Sequence, residues 1–317
     1  MILAGDIGGT NTRLALVDGD PRQPVALEIY PSGDHASLEE IVRAFIAAHP
    51  DELAAACFGV AGPVRDGHVR VTNLAWPVDA ASVAAALGLE QVLLLNDLEA
   101  NAWGIAALGP DDFHVLNEGR ADARGNAAVC SAGTGLGEAG LYWDGERHHA
   151  FACEGGHTDF APLSDAQEGL REFLVREHGH VSYERVCSGI GLVNIYGYLA
   201  GGCDLAAAEI SRLALAGTDE TAVAALDLMV EIYGAEAGNL ALKLMATGGV
   251  YLGGGIPPRI LPKLEAGSFM RAFTDKGRFV DLLAGVPVRV ILNDRTALMG
   301  AALHAAASLE TVPAGRR

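Results

Sequence analysis

The sequence predicts a mixed α/β protein of two domains, and three observations carry that reading. A length of 317 residues with 50% hydrophobic content supplies core for two domains of ordinary size. Strand and helix signals alternate in both halves of the chain. The segment "QVLLLNDLEANAWGIAAL" at 91–108 is echoed by "VRVILNDRTALMGAALH" at 288–304, so one unit of strand, Asn-Asp and apolar helix is used twice.

In chain order, "MILAGDIGG" and "TRLALVDG" read as a hairpin and "PVALEIYPS" as a third strand. Leu38, Ile41, Val42, Phe45 and Ile46 recur at helical spacing and predict a helix over 37–48. "AAACFGVAG" and "QVLLLN" are short apolar runs of buried strands, with an Ala-rich helix near 80–87 between them. After Gly109-Pro110 a second unit begins. "NAAVCSAGTGLGEAGLYWDG" reads as two strands around a glycine loop, followed by helices near 164–178 and 184–200. A long helix over 219–246 is expected to stop at Gly248-Gly249. The strand "VYLGGGI", a helix started by Pro-Pro and the strand "VPVRVILN" complete the unit. The last helix is expected to pack back on the first domain. The expected division is a small α/β domain at 1–108 completed by a helix at 295–317, and a large α/β domain at 109–294. That makes two lobes with a cleft between them, and the terminal "PAGRR" reads as a frayed tail.

The formal charge of −18 gives a surface that repels phosphate backbones and anionic membranes, so neither nucleic acid nor a membrane is an expected partner. With only Lys243, Lys263 and Lys276 as lysines, a bound phosphate must rely on backbone N–H groups, arginines or a metal ion. Five scattered cysteines without a C-x-x-C pair suit a reduced, cytoplasmic compartment. The opening residues show no basic segment before an apolar one, and the charge-free stretch 186–203 is broken by five glycines. Neither a secretory leader nor a membrane span is expected.

Three glycine loops carry the chemistry. Gly8-Gly9-Thr10-Asn11 reads as a hairpin turn, since glycine supplies positive φ. It reads equally as a phosphate loop, because Asp6 just before it can hold a hydrated Mg2+ ion while Gly9, Thr10 and Asn11 offer donors. "SAGTGLGEAG" contains G-x-G-x-x-G, but the chain continues as a strand and not as a helix, which argues against a dinucleotide fingerprint. Gly253, Gly254 and Gly255 lie between a strand and a helix start, where a flat ligand can approach bare backbone; a plain turn explains them as well. Asn96 or Asp97 can cap the following helix, and Asn96 with Glu99 has the capping-box spacing. Asn293-Asp294 offers the same pattern, so the residues by themselves do not choose between Asp97 and Asp294. His148, His149, Cys153 and His157 leave a zinc site open, with His157 otherwise a hydrogen-bonded loop residue. Arg13 and Arg295 read as surface ion-pair partners.

The order of these loops resembles the sugar kinase, actin and heat-shock chaperone superfamily. More closely, the chain resembles bacterial glucokinases of the non-ROK type through "GDIGGTNTRLAL", "LLNDLEANAWGI", "SAGTGLGEAGL", "EGGHTDFAP", "YERVCSGIGLVNIYGYL", "GGVYLGGGIPPRIL" and "FTDKGRF". The resemblance implies a two-lobed actin-like ATPase fold, ribonuclease H-like, with an inter-lobe cleft. It implies that Gly8, Gly9, Thr10 and Asn11 form a first phosphate loop, Gly133, Thr134 and Gly135 a second, and Gly253, Gly254 and Gly255 an adenosine loop. ATP and Mg2+ are the implied cofactors, Asp6 holding the metal through water. Asp97 is implied as the catalytic base, with Asn96, Glu154, His157 and Glu184 around the sugar hydroxyls. The cysteine-rich zinc motif of ROK kinases is missing from this sequence. The expected activity is ATP-dependent phosphorylation of glucose to glucose 6-phosphate in a cytoplasmic homodimer. The alternatives are a kinase for mannose, fructose or an N-acetylhexosamine, and a non-catalytic sugar sensor on the same fold.

Overall fold

A computed structural model describes residues 1–70 and 74–311; the "PAGRR" tail and the last six residues of the expected 295–317 segment lie outside the described residues. The chain forms two compact units, Met1–Gly109 with the chain from Arg295 onward, and Pro110–Asp294.

In the first unit a five-stranded sheet is built from β1 (Ile2–Ile7), β2 (Asn11–Val17), β3 (Ala26–Pro31), β4 (Ala55–Val60) and, after a small hairpin of β5 (His68–Arg70) and β6 (Pro77–Asp79), β7 (Leu93–Asn96). Its order is β3-β2-β1-β4-β7, with β1, β4 and β7 parallel and β1, β2 and β3 an antiparallel meander. Residues on successive positions face opposite sides of a strand. On one side Leu3, Ile7, Leu14 and Leu16 pack against Leu38, Ile41, Val42 and Phe45 of α1 (Leu38–Ala48). On the other side the small residues Ala4, Ala15 and Cys57 leave room for helices to lie close. Ser37 caps α1 by accepting from Glu40 N–H at 3.3 Å, and Asp79 caps α2 (Ala80–Leu87) by accepting from Ser82 N–H at 2.6 Å. The sheet then delivers α3 (Asp97–Gly104) directly from the end of β7.

The second unit holds a six-stranded sheet of β8 (Phe113–Asn117), β9 (Ala127–Ala132), β10 (Leu136–Trp143), β11 (His148–Cys153), β12 (Gly249–Gly253) and β13 (Val288–Ile291), in the order β11-β10-β9-β12-β13-β8. Without the edge strand β8 this repeats the first sheet: a meander whose first strand continues into two parallel neighbours. The echo read in the sequence therefore marks the fifth strand of each sheet. Its helices are α4 (Asp165–His178), α5 (Gly189–Ala200), α6 (Ala207–Ala216), α7 (Glu220–Leu244), α8 (Leu261–Glu265), α9 (Ser268–Thr274) and α10 (Val280–Ala284). The central α7 is buried along its length, and Tyr233 donates its hydroxyl to Cys130 O at 2.7 Å. The chain then returns to the first unit with α11 (Thr296–Thr311), which packs on α3.

Three local expectations are corrected. The stretch 184–200 is a 3-10 turn at Tyr183–Arg185 followed by α5, because Ser188 caps the helix through Gly191 N–H at 3.0 Å. Pro257-Pro258 starts a 3-10 turn and not an α-helix. The long helix stops at Leu244, and its C-cap is Met245 at φ 49°, ahead of Gly248-Gly249. A non-glycine residue in the left-handed region carries a cost that glycine avoids. Met245→Gly is therefore expected to stabilise the protein by about 0.5–1 kcal/mol in chemical unfolding, since the side chain is half exposed and little packing is lost.

Candidate active site

Parallel strands end together, and the loops at their carboxyl ends are where open α/β sheets bind ligands. In the first unit Ile7, Val60 and Asn96 are register partners across β1, β4 and β7, so the Gly8 turn and the Asn96-Asp97 corner leave the same sheet edge. The Gly8 turn is closed by Gly8 N–H donating to Asn11 O at 3.0 Å, and Thr10 and Asn11 are exposed. It is pinned from behind by two buried hydroxyls: Ser32 Oγ donates to Gly8 O at 2.7 Å and lies 3.0 Å from Thr12 Oγ1, while Ser32 N–H donates to Thr10 O at 2.9 Å. No local signal in the sequence points from Ser32 to a loop twenty residues earlier. Asp6 lies two residues before Gly8 and pairs with Arg13 at 3.4 Å across the β1–β2 ladder.

Asn96 is the N-cap of α3, its Oδ1 accepting from Leu98 N–H at 2.9 Å and Glu99 N–H at 3.4 Å. Burial raises the Glu99 carboxyl above the usual range, with the Asn96 backbone N–H acting in the opposite direction. Asn96 Nδ2 also donates to Gly62 O at 3.1 Å. Asp97 is thereby the first residue of the helix, its Oδ1 accepting from Leu98 N–H at 3.0 Å. A side chain on Gly59 would strike Ala100, so this glycine is what lets α3 lie against β4. The second Asn-Asp pair differs: Asn293 Nδ2 donates to Asp112 at 3.0 Å, and Asp294 lies in a turn two residues ahead of α11. At Asn96-Asp97 the asparagine caps the helix and the aspartate is its first residue.

In the second unit Gly133 N–H donates to Gly135 O at 2.9 Å, closing the turn between β9 and β10, and Gly189 N–H at the start of α5 donates to Gly133 O at 2.8 Å. Thr134 is the exposed residue of that turn. Gly254, at φ 84°, lies so close to Ala132 O that any Cβ would overlap it. Gly253 and Gly255 flank it, so the third glycine loop rests on the stem of the second. The acidic residues converge in the same unit. Glu184 Oε2 accepts from Leu136 N–H at 3.1 Å, and its carboxylate occupies the space a Cβ on Gly135 would take. His157 lies between two carboxylates, Nδ1 3.9 Å from Glu184 Oε1 and Nε2 4.0 Å from Glu154 Oε2. Glu154 and His157 are more than half exposed and Glu184 only 24%, so a ligand can reach the first two while the third is held. Such a set offers both acceptors and donors to a polar ligand.

The zinc arrangement does not assemble. His148 and His149 are consecutive on β11 and face opposite sides of the sheet, with His148 Nε2 3.0 Å from Gly125 O and His149 Nε2 2.5 Å from Asp144 Oδ2. Among the described residues no three His, Cys, Asp or Glu side chains form a metal-holding group.

A family model described as Glucokinase matches residues 3–308. A glucokinase of Synechocystis sp. is 42% identical, the alignment covering 96% of this chain and 98% of that protein. The crystal structure of a glucokinase from an Antarctic psychrotroph superposes with a TM-score of 0.86 at 35% identity, covering 96% of this chain and 98% of the other. A ROK-family glucokinase from Streptomyces griseus, solved with glucose and AMPPNP, shares the fold at a TM-score of 0.67 and 22% identity, covering 96% and 99% of the two chains. The architecture is that of the actin-like sugar kinases.

Proposed function

The chain belongs to the glucokinase family and catalyses ATP-dependent phosphorylation of glucose, and we propose that Asp97 is the base of that reaction. The single observation that carries the activity is the match over nearly the whole chain, residues 3–308. Support for Asp97 comes from its position at the carboxyl end of β7, in the first turn of a helix whose capping is already satisfied by Asn96. In this reading Asp97 takes the proton of the sugar 6-hydroxyl as that oxygen attacks the γ-phosphorus. The new oxygen–phosphorus bond forms as the bond to the leaving ADP oxygen breaks.

Glu154, His157 and Glu184 then bind the sugar hydroxyls, with the second N–H of the Asn96 amide completing the set. A site of paired donors and acceptors rejects an analogue lacking one hydroxyl by about 10^4 or more. The turns Gly8-Gly9-Thr10-Asn11 and Gly133-Thr134-Gly135 hold the phosphates through their remaining N–H and hydroxyl donors, the N–H groups of Gly8 and Gly133 closing the turns, and Gly253, Gly254 and Gly255 take the adenosine. Asp6 fits Mg2+ bound through water: its carboxylate, paired with Arg13 at 3.4 Å, stands beside a donor-rich turn and suits an ion whose other oxygens come from phosphate and solvent. The ion's contribution when bound is neutralisation of phosphate charge. A reduced, cytoplasmic setting is supported by five free cysteines, and no helix among the described residues is long and apolar enough to cross a membrane. A homodimer is carried by the family resemblance.

The reading is tested by an ADP-coupled assay over a panel of hexoses. Turnover with glucose well above mannose, fructose and N-acetylglucosamine is expected. Preference for another hexose would reassign the substrate, and no turnover with any of them would favour a sensor.

A further inference from the structure

Beneath the two turns that carry Glu154, His157 and Glu184 lies a buried polar floor that the reaction does not use. Glu138 stands in the middle of β10, 1% exposed, with Cys130 of β9 and Cys153 of β11 as its register partners. Its Oε2 fills the space that a Cβ on Gly155 would need, and a Cβ on Gly156 would overlap Leu136 O, so the 154–157 turn rests directly on this carboxyl and its strand. Oε1 of Glu138 is enclosed with no protein donor.

The carboxyl that faces it is Glu236 of α7, also fully buried, whose Oε1 accepts from Lys243 Nζ at 3.0 Å and whose Oε2 accepts from Asn239 Nδ2 at 2.8 Å. Asn239 Nδ2 also lies 3.1 Å from Tyr183 Oη, donating to it, and Tyr183 begins the turn that presents Glu184. Tyr183 N–H donates to Thr158 O at 3.1 Å, and Thr158 Oγ1 donates to Gly155 O at 2.7 Å, which ties the two turns to each other. Two carboxyls face to face hydrogen-bond only when a proton sits between them, and a half-satisfied buried network costs more than an apolar one.

We propose that Glu138, in its protonated form, is a positioning residue for glucose: donating to Glu236, it holds the 154–157 and 183–185 turns in the geometry that binds the sugar. This rests on the assignment of Glu154, His157 and Glu184 to the sugar. Burial, and secondarily the charge of Glu236, pushes the Glu138 carboxyl up to about 8, against a smaller opposing effect of Lys243. Loss of that proton sets two carboxylates against each other under the turns. The other titratable groups on this floor are Cys130, Cys153 and Cys187, Tyr183 and Tyr233, whose burial raises each of them, and Lys276, which burial lowers.

The experiment measures KM for glucose and for ATP from pH 6.5 to 9.5 in the full chain. In the wild type KM for glucose is expected to rise roughly fivefold or more as pH passes about 8, with KM for ATP changing less than twofold. Glu138→Gln, which keeps a donor and cannot ionise, is expected to hold KM for glucose near the wild-type value at pH 7 and to flatten the rise. Glu138→Leu, which fills the space without a donor, is expected to raise it at every pH. A flat wild-type profile overturns the proposal without any variant, and so does a rise that persists in Glu138→Gln, which would place the proton on another of these groups. Glu184→Gln serves as the separate check on the sugar site: unchanged KM for glucose there overturns the assignment of the sugar residues, whatever Glu138 does.

Discussion

Asp97→Asn is expected to lower kcat for glucose phosphorylation by about 10^2 to 10^4, the range a positioned general base contributes. The substitution is chosen for what it keeps. An asparagine Oδ1 can still accept from Leu98 N–H, the bond now 3.0 Å long, and Asn96 continues to cap α3. Stability is therefore expected to change by less than about 1 kcal/mol, and KM for glucose by only a few-fold, so the loss falls on the chemical step. Asp294→Asn is the matched control, because it alters the same dipeptide in the duplicated unit. Its kcat is expected within about threefold of wild type. Near-normal turnover in Asp97→Asn would move the base elsewhere; a collapse in Asp294→Asn alone would reverse the choice between the two echoes.

Gly300→Ala is expected to destabilise the protein by about 3 kcal/mol, the upper end of the usual overpacking range. Helix propensity alone predicts the opposite, a gain of about 1 kcal/mol for replacing glycine inside a helix. The sign is decided by what faces the position. A Cβ on Gly300 would overlap the carbonyl oxygen of Ala100, and one on Gly104 would overlap that of Thr296, so α3 and α11 cross with backbone against backbone. Neither obstacle is a side chain that can rotate away, and the face behind them is already lined with Ala297, Ala301 and Ala305. Urea unfolding of the variant checks the expectation; stability equal to or above wild type would mean the helices can separate without loss. Because α3 begins at Asp97, the same variant is also expected to lose activity before it unfolds.

Much of this protein is legible locally, since strand and helix order follow from spacing and end signals that neighbouring residues supply. Ser37, Asp79, Ser188 and Asp219 cap their helices through bonds to residues three positions ahead, and Asn96 likewise accepts from Glu99 N–H, as their spacing announces. The Gly8–Asn11 turn, the second glycine turn and the Asn-Asp echo were visible for the same reason. The end of α7 is set from outside the helix. Gly248-Gly249 carries the stronger stop signal, yet the chain leaves the helix at Met245, where Asn126 of the neighbouring loop takes Leu244 O at 2.8 Å and Gly248 N–H at 2.8 Å.

The set of elements, their order, the glycine loops and the family all follow from patterns a few residues long or from motifs in series. Which distant residues share an environment is settled by the folded chain alone. Arg13 meets Asp6 because β1 and β2 are in that register, and Ser32 reaches Gly8 because β3 lies beside them. Asp97 differs from Asp294 through the partners of the preceding asparagine. Glu138 is the one acid of β10, and its meaning came from Glu236, almost a hundred residues later, and from the turn resting on it. Burial, desolvation and close backbone approach are properties of the assembled neighbourhood, and no short window of sequence contains them.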